Sequence, residues 1–204
     1  MTAVDLAALR RAVQRIKGRM TRLEHELNVA DSRLGDGDTG VMLARVVDAM
    51  AQIDYAAQPD IGTALSLMAR TTASATGSSL GTLIATGLLT TAKRVKGETE
   101  IAFGNLGGHI AASVEAMAAR GKASLGDKTV LDILDALASA LAGASDGPSA
   151  ARASTDACRA TLDAFRDRPC KIGRARMFGD KSIGMDDSGM LAVNGLVLAM
   201  VEPA

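Results

Sequence analysis

The chain has no tryptophan, one tyrosine and three phenylalanines in 204 residues, with only four prolines and two cysteines. Strands favour aromatic and β-branched side chains, so a chain poor in aromatics and rich in alanine argues for close-packed helices rather than a sheet-built core. Cys158 and Cys170 form no C-x-x-C pair and have only His25 and His109 beside them, which argues against zinc and leaves two idle thiols. An excess of either charge is also missing. Lys plus Arg total 23 and Asp plus Glu total 23, so no global field draws in nucleic acid or an anionic membrane, and any phosphate chemistry belongs to a local site. Met190 to Val201, the most apolar stretch, is shorter than the roughly 20 residues a membrane span needs. The N-terminus lacks the basic-then-apolar layout of a signal peptide. The expectation is a cytoplasmic protein with neither a membrane nor a nucleic acid as partner.

What the sequence does contain is helical periodicity. With 48% hydrophobic residues the chain can bury a real core, and its length suits one domain spanning 1–204. From Leu6 the apolar residues fall at Leu9, Val13, Ile16, Met20, Leu23 and Leu27, in steps of three and four with Arg and Lys between them, which predicts a long helix with one apolar stripe. Gly35 and Gly37 interrupt it, and Leu43, Val46, Val47, Met50 and Ile53 resume the pattern. Pro59-Asp60 stops that helix and offers an N-cap for a third reaching Thr76. Further helices are expected around Leu83 to Leu89, Leu106 to Met117 and Thr129 to Leu141. Another runs from the Ser145-Asp146-Gly147-Pro148 turn to about Phe165, and the last covers Met190 to Val201, after a loop from Pro169 to Ser188. The fold class is therefore all-α: about eight helical segments in a bundle or closed barrel.

The motif Gly35-Asp36-Gly37-Asp38-Thr39-Gly40 matches G-x-G-x-x-G, but that fingerprint works after a strand, and here a long helix precedes it. Two aspartates inside the loop would repel a bare pyrophosphate, so carboxylates beside phosphate imply intervening cations. An EF-hand count from Asp36 puts Val41 at the turn glycine and Val47 at the bidentate glutamate, which excludes calcium of that type. Magnesium suits the site better, since it takes one or two carboxylates and completes its shell with water and phosphate oxygens. Asp31, Asp36 and Asp38 could share two such ions, while the helix beginning near Thr39 would offer free amides to the phosphates. The alternative is a solvated turn with aspartate caps.

Other segments are equally two-sided. Gly121 to Thr129 nearly reproduces a P-loop, but Asp127 is inserted before Lys128 and a helix rather than a strand comes before it, so it is not a Walker motif. Taken alone, Gly126-Asp127-Lys128-Thr129 reads as a helix start capped by Asp127. Gly77-Ser78-Ser79 is either a helix break or a cradle of amides and hydroxyls for phosphate. The long polar loop with Arg174, Lys181 and Asp187 borders a site, or else supplies a surface cation and the N-cap of the last helix. His25 and His109 are assigned no chemistry.

In order along the chain, Asp31-Ser32-Arg33-Leu34-Gly35-Asp36-Gly37-Asp38-Thr39-Gly40, Gly77-Ser78-Ser79, Gly121-Lys122-Ala123 with Gly126-Asp127-Lys128-Thr129, and Gly173-Arg174-Ala175 with Lys181-Ser182-Ile183-Gly184 resemble the L subunit of dihydroxyacetone kinases. The resemblance implies an antiparallel barrel of eight helices with nucleotide capping one end. It implies that Asp31, Asp36 and Asp38 hold two Mg2+ bridging the phosphates of ATP or ADP, and so carry the catalysis. It also implies nucleotide contacts at Thr39, Gly40, Val41, Met42, Ser78, Ser79, Gly121, Val130, Arg174, Asp187, Ser188 and Gly189. In that family a separate K subunit holds the small ketose through its own histidine, so the implied catalyst is a complex.

Phosphotransferase-system members often carry His after the third aspartate and Asn three positions later, where this chain has Thr39 and Met42. That difference tilts the donor towards free ATP rather than a phosphocarrier protein recharging bound ADP. Leu80 stands where glycine is common and Met185 where His can occur. Two rival functions remain: a regulatory or adaptor bundle that binds nucleotide without transferring phosphate, and an apolar-ligand carrier, which gives the acidic loop no purpose.

Overall fold

The computed structural model describes residues 3–201, so the ends of the expected 1–204 span lie outside the described residues. The chain is mostly helical. A short strand β1 (Ala3–Asp5) leads into α1 (Leu6–Leu34), followed by α2 (Thr39–Ala51), α3 (Ile61–Ala75) and α4 (Ser79–Arg94). A second short strand, β2 (Glu100–Ala102), precedes α5 (Phe103–Gly121), α6 (Val130–Leu141), α7 (Gly147–Arg166), a 3-10 segment (Arg174–Ser182) and α8 (Ser188–Val201).

The strands are the departure from an all-helical reading. β1 pairs antiparallel with β2, Val4 opposite Ile101. Three-residue strands carry too little alternation to register in a periodicity count. The long loop expected before the last helix is likewise partly ordered as the 3-10 segment, bent at Gly179 with φ 51°. Its side chains are mostly polar, so no apolar stripe announces it.

Local chemistry explains where the helices begin. Asp5 caps α1 by accepting from the Ala8 amide at 2.6 Å, Asp60 caps α3 through Thr63 at 2.7 Å, and Asp146 with Ser149 forms a reciprocal capping box on α7, each satisfying amides that the first turn leaves unpaired. At α6 the cap is Thr129, not Asp127. The Thr129 side chain accepts from Leu131 while Asp132 reaches back to the Thr129 amide at 2.7 Å. Asp127 instead accepts from the Ser124 amide in the preceding turn.

Each helix packs on its neighbours in sequence, and α8 packs on α1 as well as on α6 and α7. The core is divided into clusters along these interfaces. Val13, Val46, Met50, Tyr55, Ile61 and Val95 pack between α1, α2, α3 and α4. Leu23, Leu27, Leu43 and Ala192 join α1 and α2 to α8, and Ile133, Leu137, Cys158, Leu162 and Met190 join α6 and α7 to α8. Cys158 is a packing residue; burial pushes its thiol up to about 11, and burial raises Cys170 as well, so both stay protonated and inert. Among the described residues no helix is long and apolar enough to cross a membrane.

Candidate metal and phosphate site

The loop between α1 and α2 is built around one buried carboxylate. Asp31, on the last turn of α1, accepts at Oδ2 from the amides of Gly37 (2.9 Å), Asp38 (3.1 Å) and Thr39 (3.4 Å). Its Oδ1 accepts from the Ser188 hydroxyl at 2.9 Å, which ties the first helix to the last. One turn earlier on α1, Asn28 Oδ1 accepts from Gly40 (2.8 Å) and Val41 (3.2 Å). The close approach of α2 to α1 requires glycine at 40, because a Cβ there would run into the Glu24 carbonyl oxygen and the Asn28 side chain.

This arrangement corrects one expectation. The first amides of α2 are not free for phosphate: Thr39 is turned to Asp31, Gly40 and Val41 to Asn28, and Met42 to the Asp38 carbonyl at 2.9 Å. The start of α4 is more open. Ser78 caps the Gly81 amide at 3.0 Å, and the Ser79 and Leu80 amides have no intramolecular acceptor among the described residues.

The same loop gathers three carboxylates. Oxygens of Asp31, Asp36 and Asp38 lie within 4.8 Å of one another, the first buried and the other two exposed. At about 4 Å a pair of like charges costs about 1 kcal/mol in water and about 4 kcal/mol at an effective dielectric near 20. The Arg174 guanidinium, ion-paired with Asp36, offsets one of the three, and the remaining charge is of the kind a divalent cation could neutralise. An all-oxygen set that leaves room for water and a substrate oxygen fits magnesium or manganese. Metal binding at Asp36 would compete with Arg174.

These groups open into a cleft of about 1140 Å³. Asp31, Asp36, Asp38, Thr39, Val41, Met42, Ser78, Ser79, Gly121, Val130, Arg174, Asp187, Ser188 and Gly189 all line it, whereas Gly40 is packed beneath the loop. Arg45, Arg120, Arg174 and Arg176 also line the cleft, Arg174 in contact with Asp36 of the acidic cluster. Leu83, Ala123 and Val130 supply an apolar side at the α4, α5 and α6 ends. Asp187 caps α8 through the Met190 amide at 2.9 Å. Burial pushes its carboxyl up to about 6, against the opposing pull of the Met190 and Gly189 amides and of Lys128.

The sequence reading passed over Asn28, Arg45 and Arg120. Asn28 lies three residues before Asp31, on the same face of the helix, but nothing in the sequence says that it binds the α2 amides. The arginines carried no signal, as exposed cations on amphipathic helices are ordinary.

Comparison with known proteins places the chain in a family. The DAK2 domain family model matches residues 33–202. The chain is 30% identical over 177 residues to the ADP-binding subunit DhaL of PEP-dependent dihydroxyacetone kinase 1 from Listeria innocua, covering 86% of this chain and 85% of that one. It is 34% identical over 189 residues to the L-erythrulose 1-kinase of Mycolicibacterium smegmatis, covering 88% of this chain but 32% of that one. The crystal structure of the dihydroxyacetone kinase from C. freundii in complex with AMP-PNP and Mg2+ superposes with a TM-score of 0.74 at 21% identity, over 96% of this chain and 33% of that one. That likeness establishes a shared fold with about a third of the larger kinase. A family match over most of its length, with a relative of its own size, makes the chain a member of the DAK2 domain family, alongside the DhaL subunits of dihydroxyacetone kinases.

Proposed function

We propose that this chain is the nucleotide-binding, phosphoryl-transferring subunit of a short-ketose kinase of the dihydroxyacetone type, acting in the cytoplasm with a separate ketose-binding K subunit. In this reading residues 1–204 form a single nucleotide-binding domain, a closed antiparallel barrel of eight helices with the site at one end. The observation that carries the reading is the meeting, in one cleft, of three clustered carboxylates and four arginines. A polyphosphate held with divalent cations has that alternation of charge; a bare anion or a bare cation does not.

Asp31, Asp36 and Asp38 would hold two Mg2+, whose chemistry when bound is to neutralise phosphate charge and polarise the bond to the transferred group. Asp31 is fixed for this by three amides and the Ser188 hydroxyl, so its orientation costs nothing at binding. Arg174 would leave Asp36 and turn to the phosphate oxygens, and Arg45 and Arg176 would add positive charge at the cleft wall. At the start of α4 the Ser79 amide and the Ser78 and Ser79 hydroxyls would donate to phosphate oxygens, the Ser78 amide being already given to Thr76 Oγ1. Thr39, Val41 and Met42 would contact the nucleotide from the α2 start, while Gly40, packed beneath the loop, would serve by letting that start approach α1. Gly121 and Val130 would flank the nucleoside, and Asp187, Ser188 and Gly189 would close the cleft from α8. The phosphoryl group would pass in line to a hydroxyl of a ketose held by the partner.

The donor is ATP, or ADP recharged by a phosphocarrier protein. Mixing the chain with a K subunit, magnesium, a panel of three- and four-carbon ketoses, and either ATP or a phosphocarrier system tests all of this together, with Asp36→Asn as control. Phosphorylated ketose that disappears with Asp36→Asn is expected. Nucleotide binding without transfer under either donor would instead make the chain a non-catalytic adaptor.

A further inference from the structure

Lys128 is the most buried charged side chain described, 1% exposed, and lies beside the cleft without lining it. Its ammonium donates three hydrogen bonds, to the carbonyl oxygens of Arg166 (3.0 Å), Arg168 (2.7 Å) and Ser182 (3.1 Å). A lysine has three donors, so this one is fully used, and all on main chain. Among the described residues no carboxylate is bonded to it. The backbone at Lys128 is left-handed, with φ 62°, an uncommon conformation for a residue with a side chain.

Those three carbonyls belong to the last residue of α7, the turn just after it and the end of the 3-10 segment, which Lys128 draws together. Further bonds close the same knot: Gly184 N to the Arg166 carbonyl (2.9 Å), Cys170 N to Ser182 Oγ (2.8 Å) and Lys171 N to the Asp127 carbonyl (3.1 Å). The segment so held, residues 169–184, carries Arg174, the partner of Asp36. On its other side Lys128 adjoins Thr129 and Val130 in the cleft wall, and its charge acts on Asp187.

We infer that Lys128 is the positioning residue of the cleft: its ammonium organises the 169–184 segment so that Arg174 faces the nucleotide phosphates, and it does not itself touch the ligand. The inference rests on the reading of the cleft as a nucleotide site. It assigns to the lysine of the P-loop-like stretch a role unlike that of a P-loop lysine. A buried ammonium that loses its carbonyls, or carbonyls that lose their ammonium, leave unpaired polar groups, so the segment should loosen before the helices do.

The test compares wild type with Lys128→Met, which keeps length and backbone constraint but removes the donors, and with Ser182→Ala, which removes the hydroxyl bonds to Cys170 and Gly179 but keeps the carbonyl that Lys128 binds. Three quantities are measured: amide hydrogen exchange, Mn2+ affinity without nucleotide, and ADP affinity with Mg2+. For Lys128→Met the expectation is faster exchange confined to 169–184, Mn2+ binding no weaker than wild type, and ADP affinity lower by about tenfold or more. Ser182→Ala should move exchange and ADP affinity the same way, by less. Exchange unchanged while ADP affinity falls would put the ammonium on the ligand and overturn the inference. Exchange rising evenly over all helices would reduce Lys128 to a general stabiliser and also overturn it. If wild type takes up no ADP, the nucleotide reading fails by itself, while the exchange comparison still decides whether Lys128 orders the segment.

Discussion

The Ser188 hydroxyl donates to Asp31 Oδ1 at 2.9 Å, a bond between residues 157 positions apart in sequence. Through it the start of the last helix orients the one buried carboxylate of the acidic loop. Hydrogen bonds to charged groups contribute about 1.5–3 kcal/mol. Ser188→Ala is therefore expected to lower the melting temperature by several degrees and to weaken Mn2+ binding, read by thermal unfolding and by titration. An unchanged Mn2+ affinity would mean that the amides of Gly37 and Asp38 suffice to aim Asp31.

Asn28 does for α2 what Ser188 does for Asp31. Replacing it with Ala strands the Gly40 and Val41 amides, at about 1–3 kcal/mol if water cannot reach them. Asn28→Asp keeps the one oxygen that accepts from both amides and should recover most of the loss. Denaturant unfolding of the two variants separates the acceptor from the mere volume of the side chain.

Arg174 and Asp36 form an exposed pair, with side chains 63% and 44% accessible. Such pairs contribute about 0–1 kcal/mol to stability, so Arg174→Ala should melt close to wild type. Its effect should fall on the ligand: Mn2+ alone binds no worse, because a competitor for Asp36 is gone, while ADP with Mg2+ binds more weakly. A large drop in melting temperature would show that the pair is mainly structural.

Asp187 gives the fold a pH dependence of definite sign. Burial raises its carboxyl from 3.8 to about 6, so the folded state holds the proton more tightly than the unfolded state does. Its ionisation therefore costs stability: the cost is absent below about pH 4, grows as pH climbs through about 6, and is constant above. Asp187→Asn keeps a capping oxygen for the Met190 amide and removes the charge. The variant should gain stability relative to wild type as pH rises from 4 to 7, measured by unfolding at each pH.

Much of this fold was legible because long helices repeat their apolar residues often. α1 and α6 announce themselves through Leu23 and Leu27, or Leu134 and Leu137, and the cap at Asp60 follows from a Pro-Asp pair before an apolar run. The β1–β2 pairing and the 3-10 segment were not legible, since three residues or a polar stretch show no period. At the site, the clustering of Asp31, Asp36 and Asp38 could be expected from one short loop. The capture of the α2 amides by Asn28 could not, because free helix ends are the default and only a three-dimensional neighbour removes them. Lys128 was set aside as a P-loop lysine because Asp127 precedes it and a helix leads in, and its donors do point at Arg166, Arg168 and Ser182, a role that no local pattern announces.

The most direct measurement is calorimetric titration of ADP and ATP into the folded chain, with Mg2+ and with a chelator, for wild type and Asp36→Asn. The account expects uptake by wild type that needs the metal and that Asp36→Asn weakens by about tenfold or more. Uptake of equal strength with chelator present, or none under any condition, would contradict it.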